Sequence, residues 1–198
     1  MPGTHFVIII PGLGDQVRKI TLLTRHFRRH GLEPIVYNIG WNDARADFAP
    51  KLNRLVHLID QLAKKGSRVS LIGASAGGSA VLNAFIKRKK VVCKVISISG
   101  ILRPSSEKGI RSFHTRTLFN RPFAQSVQLC AKNEDRLLQS DRKRIMTIYP
   151  KFGDELVAPD TVTVPGATNI RVPSAEHVIS IALALTVFSK PIIDFLTK

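Results

Sequence analysis

Short, continuous apolar segments alternate with segments of helical periodicity along this 198-residue chain. The apolar segments are HFVIII, EPIVYNI, RVSLIG, CKVISISG, KRIMTIYP and TNIRVP, which begin at residues 5, 33, 68, 93, 143 and 168. Strands of this kind are typical of a parallel sheet, because helices cover both of its faces. The alternation therefore predicts an α/β fold, a three-layer α/β/α sandwich around a mostly parallel sheet of about six strands.

Helical periodicity separates and follows these strands. The predicted helices span residues 17–30, 52–62, 76–88, 123–141 and 178–196, the last of them broken near Pro191. Because no linker-like segment or repeat divides the chain, we expect a single domain over residues 1–198. Residues 101–140 begin with a basic, irregular stretch and are expected to form a small cap or excursion.

Four apolar side chains in the predicted cap allow two interpretations. They line a pocket for an acyl group, or they make ordinary contacts in the core. These residues are Phe113, Leu118, Phe119 and Phe123.

The chain is strongly basic, with a net charge of +16 from 30 Lys and Arg against 14 Asp and Glu. Such a charge attracts nucleic acids, anionic membrane surfaces and anionic small molecules. No zinc-finger, RNA-recognition or basic-zipper pattern accompanies it, which favours a general basic surface over a specific nucleic-acid site. Contact with an anionic membrane stays open, and no feature predicts an oligomeric state.

The two cysteines, Cys93 and Cys130, are too few for a disulfide framework, and Cys93 is expected to be buried within a strand. The N-terminus lacks the basic region of a signal peptide. The longest later apolar stretch, residues 178–189, is too short to span a bilayer. These features predict a cytoplasmic protein.

Binding sites of parallel sheets lie at the carboxyl ends of the strands, so the loops after the strands are informative. PGLGD follows the first strand, GASAGG the third, PKFGDELV the fifth and PSAEH the sixth. Together these loops offer backbone N–H groups, a serine, carboxylates and a histidine at one edge of the predicted sheet.

The third loop has the pattern of a strand-to-helix elbow around Ser75. Gly73 and Gly77 are small enough to let the strand and the following helix approach closely, which would leave the Ser75 hydroxyl exposed at the sheet edge. The pattern Gly-x-Ser-x-Gly alone is common by chance. Its position between a strand and a helix makes Ser75 a candidate nucleophile.

A serine nucleophile needs a base, and the base needs an orienting carboxylate. Of the six histidines, His177 alone follows a late strand and precedes a helix. Asp154 is the favoured carboxylate, with Glu155 and Asp160 as competitors. The order of Ser75, Asp154 and His177 is that of nucleophile, acid and base in one hydrolase fold.

The reaction would also need backbone donors for an oxyanion. The N–H of Ala76, directly after the candidate nucleophile, is one predicted donor. Leu13 in the glycine-containing loop after the first strand is the other, with Gly14 as a near alternative.

The chain resembles compact α/β-hydrolases, and in layout it is similar to minimal bacterial lipases and small serine esterases. The resemblance runs from VIIIPGLGD through LIGASAGG and MTIYPKFGDELVAP to AEHVISI. It implies hydrolysis of small-molecule esters or thioesters through an acyl-enzyme on Ser75, with no metal or organic cofactor. Amidases and acyltransferases share this constellation. The chain departs from the family at three positions. Pro11 stands where the family usually has histidine, Ala74 where it often has histidine or aspartate, and Glu176 where glycine is frequent.

The sequence also allows two other functions. Gly12-x-Gly14 is typical of dinucleotide-binding loops, but Val17 replaces the third glycine, Asn38 stands where an acid is expected, and GASAGG lacks a P-loop lysine. The second alternative is a catalytically idle α/β-hydrolase-fold module that binds anionic partners through its basic surface.

Overall fold

The computed structural model describes residues 3–105 and 113–198. Its six strands form one entirely parallel sheet in the order β2-β1-β3-β4-β5-β6. The strands are β1 His5–Ile10, β2 Leu32–Val36, β3 Arg68–Ala74, β4 Val92–Ile98, β5 Ile145–Pro150 and β6 Thr168–Val172. The predicted α/β sandwich with about six parallel strands is confirmed.

The described residues also form eight α-helices. They are α1 Val17–Thr24, α2 Phe48–Lys64, α3 Gly77–Lys87, α4 Phe113–Thr117, α5 Arg121–Asn133, α6 Gln139–Arg142, α7 His177–Leu185 and α8 Lys190–Thr197. The alternate residues of each strand point to two separate cores, as β1 illustrates. Ile8 and Ile10 pack on one face with side chains of α2, α3 and α5, and Val7 and Ile9 pack on the other with α1, α7 and α8.

The strand order reverses at β1, because β2 lies on one side of it and β3 on the other. At such a switch point the loops after the two central strands diverge and leave a crevice at the carboxyl edge. The loop after β1 and the β3–α3 turn flank this crevice, which is where the sequence concentrates its glycines.

The first predicted helix is shorter than its periodicity suggested. It ends at Thr24 and continues as a 3-10 segment, Arg25–His30, which Gly31 closes with a left-handed φ of 72°. The Thr24 hydroxyl donates to the Ile20 carbonyl, a back-bond that disturbs helix continuation.

The closing helix is broken near Pro191, as predicted, and consists of two helices. α7 ends at Leu185, α8 starts at Lys190, and their axes differ by 54°. The break precedes Pro191, which occupies the first turn of α8, where its missing N–H costs nothing. Among the described residues no single helix has the length and apolar composition to cross a bilayer; α7 and α8 would meet both criteria only as a bent pair.

The apolar side chains of the predicted cap do not share one environment. Phe123 is buried on α5 against Trp41, and Phe113 packs against the same core. Leu118 and Phe119 are exposed. Part of the predicted cap, residues 106–112, lies outside the described residues.

Candidate active site

Ser75 occupies the sharp turn between β3 and α3. Its φ is 52°, in the left-handed region that a residue with a side chain rarely adopts. Two backbone hydrogen bonds hold this strained conformation: the Ser75 N–H donates to the Ile98 carbonyl at 2.8 Å, and the Gly78 N–H donates to the Ser75 carbonyl at 2.9 Å. Neighbouring structure thus over-determines the turn, as is typical of strained functional positions.

The glycines on either side of Ser75 are required by close backbone approach. A Cβ at Gly73 would overlap the Gly77 carbonyl, and a Cβ at Gly77 would overlap the Ile10 carbonyl at the end of β1. Helix α3 can therefore start against the sheet edge only because both positions lack side chains.

The structure brings Ser75, His177 and Asp154 together. Ser75 Oγ lies 2.9 Å from His177 Nε2, and His177 Nδ1 lies 2.8 Å from Asp154 Oδ2. His177 and Asp154 are both buried, whereas Ser75 is partly exposed. Three residues that follow three different strands therefore form one continuous hydrogen-bonded chain that ends at an accessible hydroxyl.

Asp154, Glu155 and Asp160, the three candidates for the carboxylate that orients His177, have different contacts. The second oxygen of Asp154, Oδ1, accepts the N–H groups of Leu156 and Val157 at 2.9 and 3.0 Å. Glu155 accepts the backbone N–H of His177 instead of its ring, at 3.0 and 3.1 Å. Asp160 is exposed, and its backbone carbonyl accepts a hydrogen bond from Arg103. Only Asp154, of these three, contacts the imidazole.

Glu176 forms the N-terminal cap of α7. Its carboxylate accepts hydrogen bonds from the backbone N–H groups of Val178 and Ile179, which would otherwise lack partners at the helix start. This residue, where the resembling enzymes often have glycine, therefore fixes the beginning of the helix that carries His177.

The loop after β1 lies directly against Ser75. A Cβ at Gly12 would stand 3.0 Å from the Ser75 Cβ, and the Asp15 N–H closes the loop by donating to the Gly12 carbonyl at 2.9 Å. Within residues 3–105 and 113–198, no acceptor is found for the backbone N–H groups of Leu13 and Ala76. Two unsatisfied donors thus flank the serine.

Contacts that the sequence analysis missed brace this loop against the segment after β2. Trp41 Nε1 donates to the Pro11 carbonyl at 3.0 Å, and Asp15 Oδ2 accepts the Asn42 N–H at 3.2 Å. Burial raises the pKa of Asp15, an effect that its backbone hydrogen bonds partly offset. Two features of the sequence could have indicated these contacts: the single tryptophan of the chain, and an acid directly after Gly-x-Gly.

A cavity of about 400 Å³ opens beside Ser75 and His177. Apolar side chains from the β1 loop, α1 and α7 form most of its wall: Leu13, Ile20, Leu22, Leu23, Val178, Ile181 and Ala182. None of the four apolar residues suggested from the predicted cap lines it. The helices on the opposite face of the sheet from α5 therefore shape the space next to the serine.

Neither cysteine competes with Ser75 as a nucleophile. Burial raises the pKa of Cys130 to about 12, which keeps its thiol protonated. Cys93 is only half-buried, contrary to our expectation. It lies near the start of β4, at the opposite edge of the sheet from Ser75.

His5, at the start of β1, is a second buried histidine and lies outside the candidate active site. It is buried, and its Nε2 lies 2.9 Å from Ser70 Oγ. Burial, with a smaller contribution from Arg68, lowers the pKa of His5 from 6.5 to about 4. Between these pH values the unfolded chain binds a proton here that the folded protein does not, so the free energy of unfolding falls as pH decreases.

Replacing His5 with glutamine should remove this proton linkage while keeping a hydrogen-bonding group near Ser70. We expect wild type to lose about 2 kcal/mol more stability than His5→Gln between pH 7.5 and pH 4.5. Urea unfolding of both proteins at the two pH values measures this difference. A stability difference that is the same at both pH values would contradict the assigned pKa.

Solved structures of enzymes share this architecture. LipS and LipT, two metagenome-derived lipolytic enzymes, match with a TM-score of 0.66 at 13% identity, over 98% of this chain and 92% of the solved one. Est1E from Butyrivibrio proteoclasticus matches with a TM-score of 0.66 at 15% identity, over 100% of this chain and 90% of the solved one. The thioesterase domain from the curacin biosynthetic pathway matches with a TM-score of 0.67 at 13% identity, over 100% of this chain and 92% of the solved one. At these identities the likeness establishes the α/β-hydrolase fold.

Sequence comparison gives the family. Residues 37–160, more than half of the chain, match the esterase family model described as "Putative esterase". The chain therefore belongs to this esterase family and is a hydrolase of carboxylic esters. The matched range contains Ser75 and Asp154, whereas His177 and the loop after β1 lie outside it. No curated protein sequence matches the chain.

Proposed function

We propose that the chain cleaves carboxylic esters or thioesters through a Ser75–His177–Asp154 catalytic triad and an acyl-enzyme on Ser75. The observation that carries this proposal is the hydrogen-bonded chain from Ser75 Oγ to His177 Nε2 at 2.9 Å and from His177 Nδ1 to Asp154 Oδ2 at 2.8 Å. It ends at the mouth of an apolar cavity, where an acyl group could lie beside the hydroxyl.

In the first step His177 acts as the general base. Asp154 holds Nδ1 protonated, which leaves the Nε2 lone pair to take the Ser75 proton as Oγ attacks the substrate carbonyl. The two backbone N–H groups on Asp154 Oδ1 keep the carboxylate in place, and the Glu155 contact fixes the backbone of His177. The base is thus oriented through both its ring and its main chain.

Attack places a negative charge on the carbonyl oxygen, and we assign its stabilisation to the N–H groups of Leu13 and Ala76. Both lack acceptors in the described part of the chain, and Ala76 precedes the first turn of α3, where the helix dipole favours an anion. Gly14, whose N–H also has no acceptor among the described residues, is the alternative donor in the same loop. Trp41 would hold the loop in position through the Pro11 carbonyl.

Collapse of this intermediate expels the alcohol or thiol, which receives the proton from His177 Nε2. Water then attacks the acyl-enzyme, with His177 again removing a proton, and the carboxylic acid leaves as Ser75 regains its hydrogen. No step of this mechanism needs a metal or an organic cofactor.

The acyl-enzyme can be trapped directly. After acid quench during turnover of a p-nitrophenyl ester, trypsin should release the segment 69–87, which contains Ser70, Ser75 and Ser79. We expect a mass increase of one acyl group, assigned to Ser75 by fragmentation, together with p-nitrophenol release above the buffer blank. A catalytically idle binding module would give neither, and an acyl group on another residue would contradict the proposal.

A further inference from the structure

Two neighbouring cavities lie along α1 and α7 between Ser75 and a basic surface, and we call them together the α1–α7 groove. Its first part is the apolar cavity of about 400 Å³ beside Ser75. Its second part is a cavity of about 360 Å³ lined by Leu22, Leu23, Arg25, His26, Arg29 and Thr186. Because Leu22 and Leu23 line both parts, the two cavities adjoin.

The groove has a definite length, because α7 forms one of its walls. His177 is the first residue of α7 and contacts Ser75, whereas Thr186 directly follows the last residue. Nine residue steps along an α-helix correspond to about 13 Å. An extended chain advances ~1.2 Å per bond, so about ten or eleven bonds reach from the serine to the basic end.

The charges at the two ends of the groove differ. Near Ser75 the wall is mostly apolar, although Gln16 and the exposed Lys19 also line it. At the far end Arg25 and Arg29 are exposed, and neither forms a salt bridge with an acid in the described part of the chain. The intervening Arg28, by contrast, is held by Glu33.

The other titratable groups near the basic end of the groove do not neutralise the charge of Arg25 and Arg29. His26 Nε2 lies 3.0 Å from Ser189 Oγ, and Asp194 on α8 is paired with Lys190. The two guanidinium groups of Arg25 and Arg29 therefore remain available to bind an anion, to which arginine presents several N–H donors.

We propose that the α1–α7 groove selects substrates whose acyl chain ends in an anionic group, with Arg25 and Arg29 as specificity-determining residues. The reacting carbonyl lies at Ser75, about ten apolar bonds follow the groove, and a carboxylate or phosphate group contacts the two arginines. This inference rests on the proposed esterase reaction at Ser75 and adds the chemical class of its substrate.

The test compares matched esters below their critical micelle concentrations and at low salt. One series consists of p-nitrophenyl monoesters of linear dicarboxylic acids of increasing length, and the second carries a methyl ester at the far end. At lengths of about 10 to 12 carbons we expect kcat/KM to be about tenfold higher for the anionic ester, as two solvent-exposed ion pairs would give. This preference should decrease for shorter chains and at high salt.

Arg25→Gln/Arg29→Gln should reduce the anionic-to-neutral ratio to near one, chiefly through a loss of kcat/KM for the anionic ester. The matched control is Arg54→Gln/Lys64→Gln, which removes two exposed charges from α2 on the opposite face of the sheet and should keep the ratio. A phosphonate series of the same lengths shows which anion is preferred, and preference for either over the neutral ester supports the proposal.

The outcomes separate this inference from the proposed function. If wild type hydrolyses the neutral esters through Ser75 but the ratio is near one at every length, the inference is wrong and the esterase assignment stands. An equal loss of the ratio in the α2 control would also overturn it, because general charge would then explain the selectivity. If no ester is hydrolysed, the proposed function fails and the inference fails with it.

Discussion

Ser75→Ala is expected to lower kcat for ester hydrolysis by about 10⁵- to 10⁶-fold, because alanine cannot form the acyl-enzyme. His177, Asp154 and the Leu13 and Ala76 donors would remain, so the residual rate reflects water attack assisted by the rest of the site. The substitution leaves no unpaired polar atom on the side chain of residue 75. The alanine Cβ occupies the position of the serine Cβ at the same strained φ. We therefore expect the variant to fold, as circular dichroism and thermal unfolding would check.

Ser79 supplies a matched control, because it lies four residues further on, in the first turn of α3. Its hydroxyl contacts the Ala76 carbonyl and Ser126 Oγ, so Ser79→Ala should cost about 1 kcal/mol of stability and little activity. Turnover by Ser75→Ala within tenfold of wild type would refute the assignment of Ser75 as the nucleophile.

Asp154→Asn is expected to lower kcat by about 10⁴-fold at neutral pH. An asparagine amide facing His177 Nδ1 would donate a hydrogen bond and stabilise the tautomer protonated at Nε2, which cannot accept the Ser75 proton. The amide would also fail to stabilise the imidazolium formed during attack. Steady-state kinetics with a p-nitrophenyl ester measure the loss.

The neighbouring acid tests whether this effect is specific to the ring contact. Glu155→Gln retains an oxygen that can accept the His177 backbone N–H, so its kcat should fall less than tenfold. Equal losses in the two variants, or the larger loss at Glu155, would show that Asp154 is not the orienting carboxylate.

The strands and their order of appearance were predictable because burial on both faces leaves a continuous apolar signature. His5–Ile10 matches its predicted bounds, and the other strands differ by at most three residues at an end. Once the strands are parallel, the loops that carry Ser75, Asp154 and His177 must emerge at one edge. That geometric consequence, rather than any single motif, made these three residues candidates for one site.

Contacts between distant loops left a weaker signal. Trp41 and Pro11 are 30 residues apart, and their hydrogen bond depends on how the segment after β2 folds over the β1 loop. Of the two interpretations that the sequence left open for the apolar residues of the cap, contact with the core holds for Phe123, which packs there on α5. Helical periodicity shows that a helix has a buried side and does not show which face of the sheet it covers.

The same limit applies to the wall of the active-site cavity. Ile20 and Leu23 repeat at helical spacing, and Val178 and Ile181 do the same, so each pair reads as an ordinary core face. Only the packing of α1 beside α7 turns them toward Ser75. The position of Arg25 and Arg29 at the end of that groove was hidden for the same reason, within a charge that is spread over the whole chain.

The central claim is that Ser75 is a nucleophile activated by His177. Reaction of the folded protein with a fluorophosphonate probe, followed by mass spectrometry of residues 69–87, tests it most directly. The account predicts one adduct per chain, located on Ser75, absent from Ser75→Ala and formed far more slowly by His177→Ala. Well-folded wild-type protein that stays unlabelled, or an adduct on Ser70 or Ser79, would contradict it.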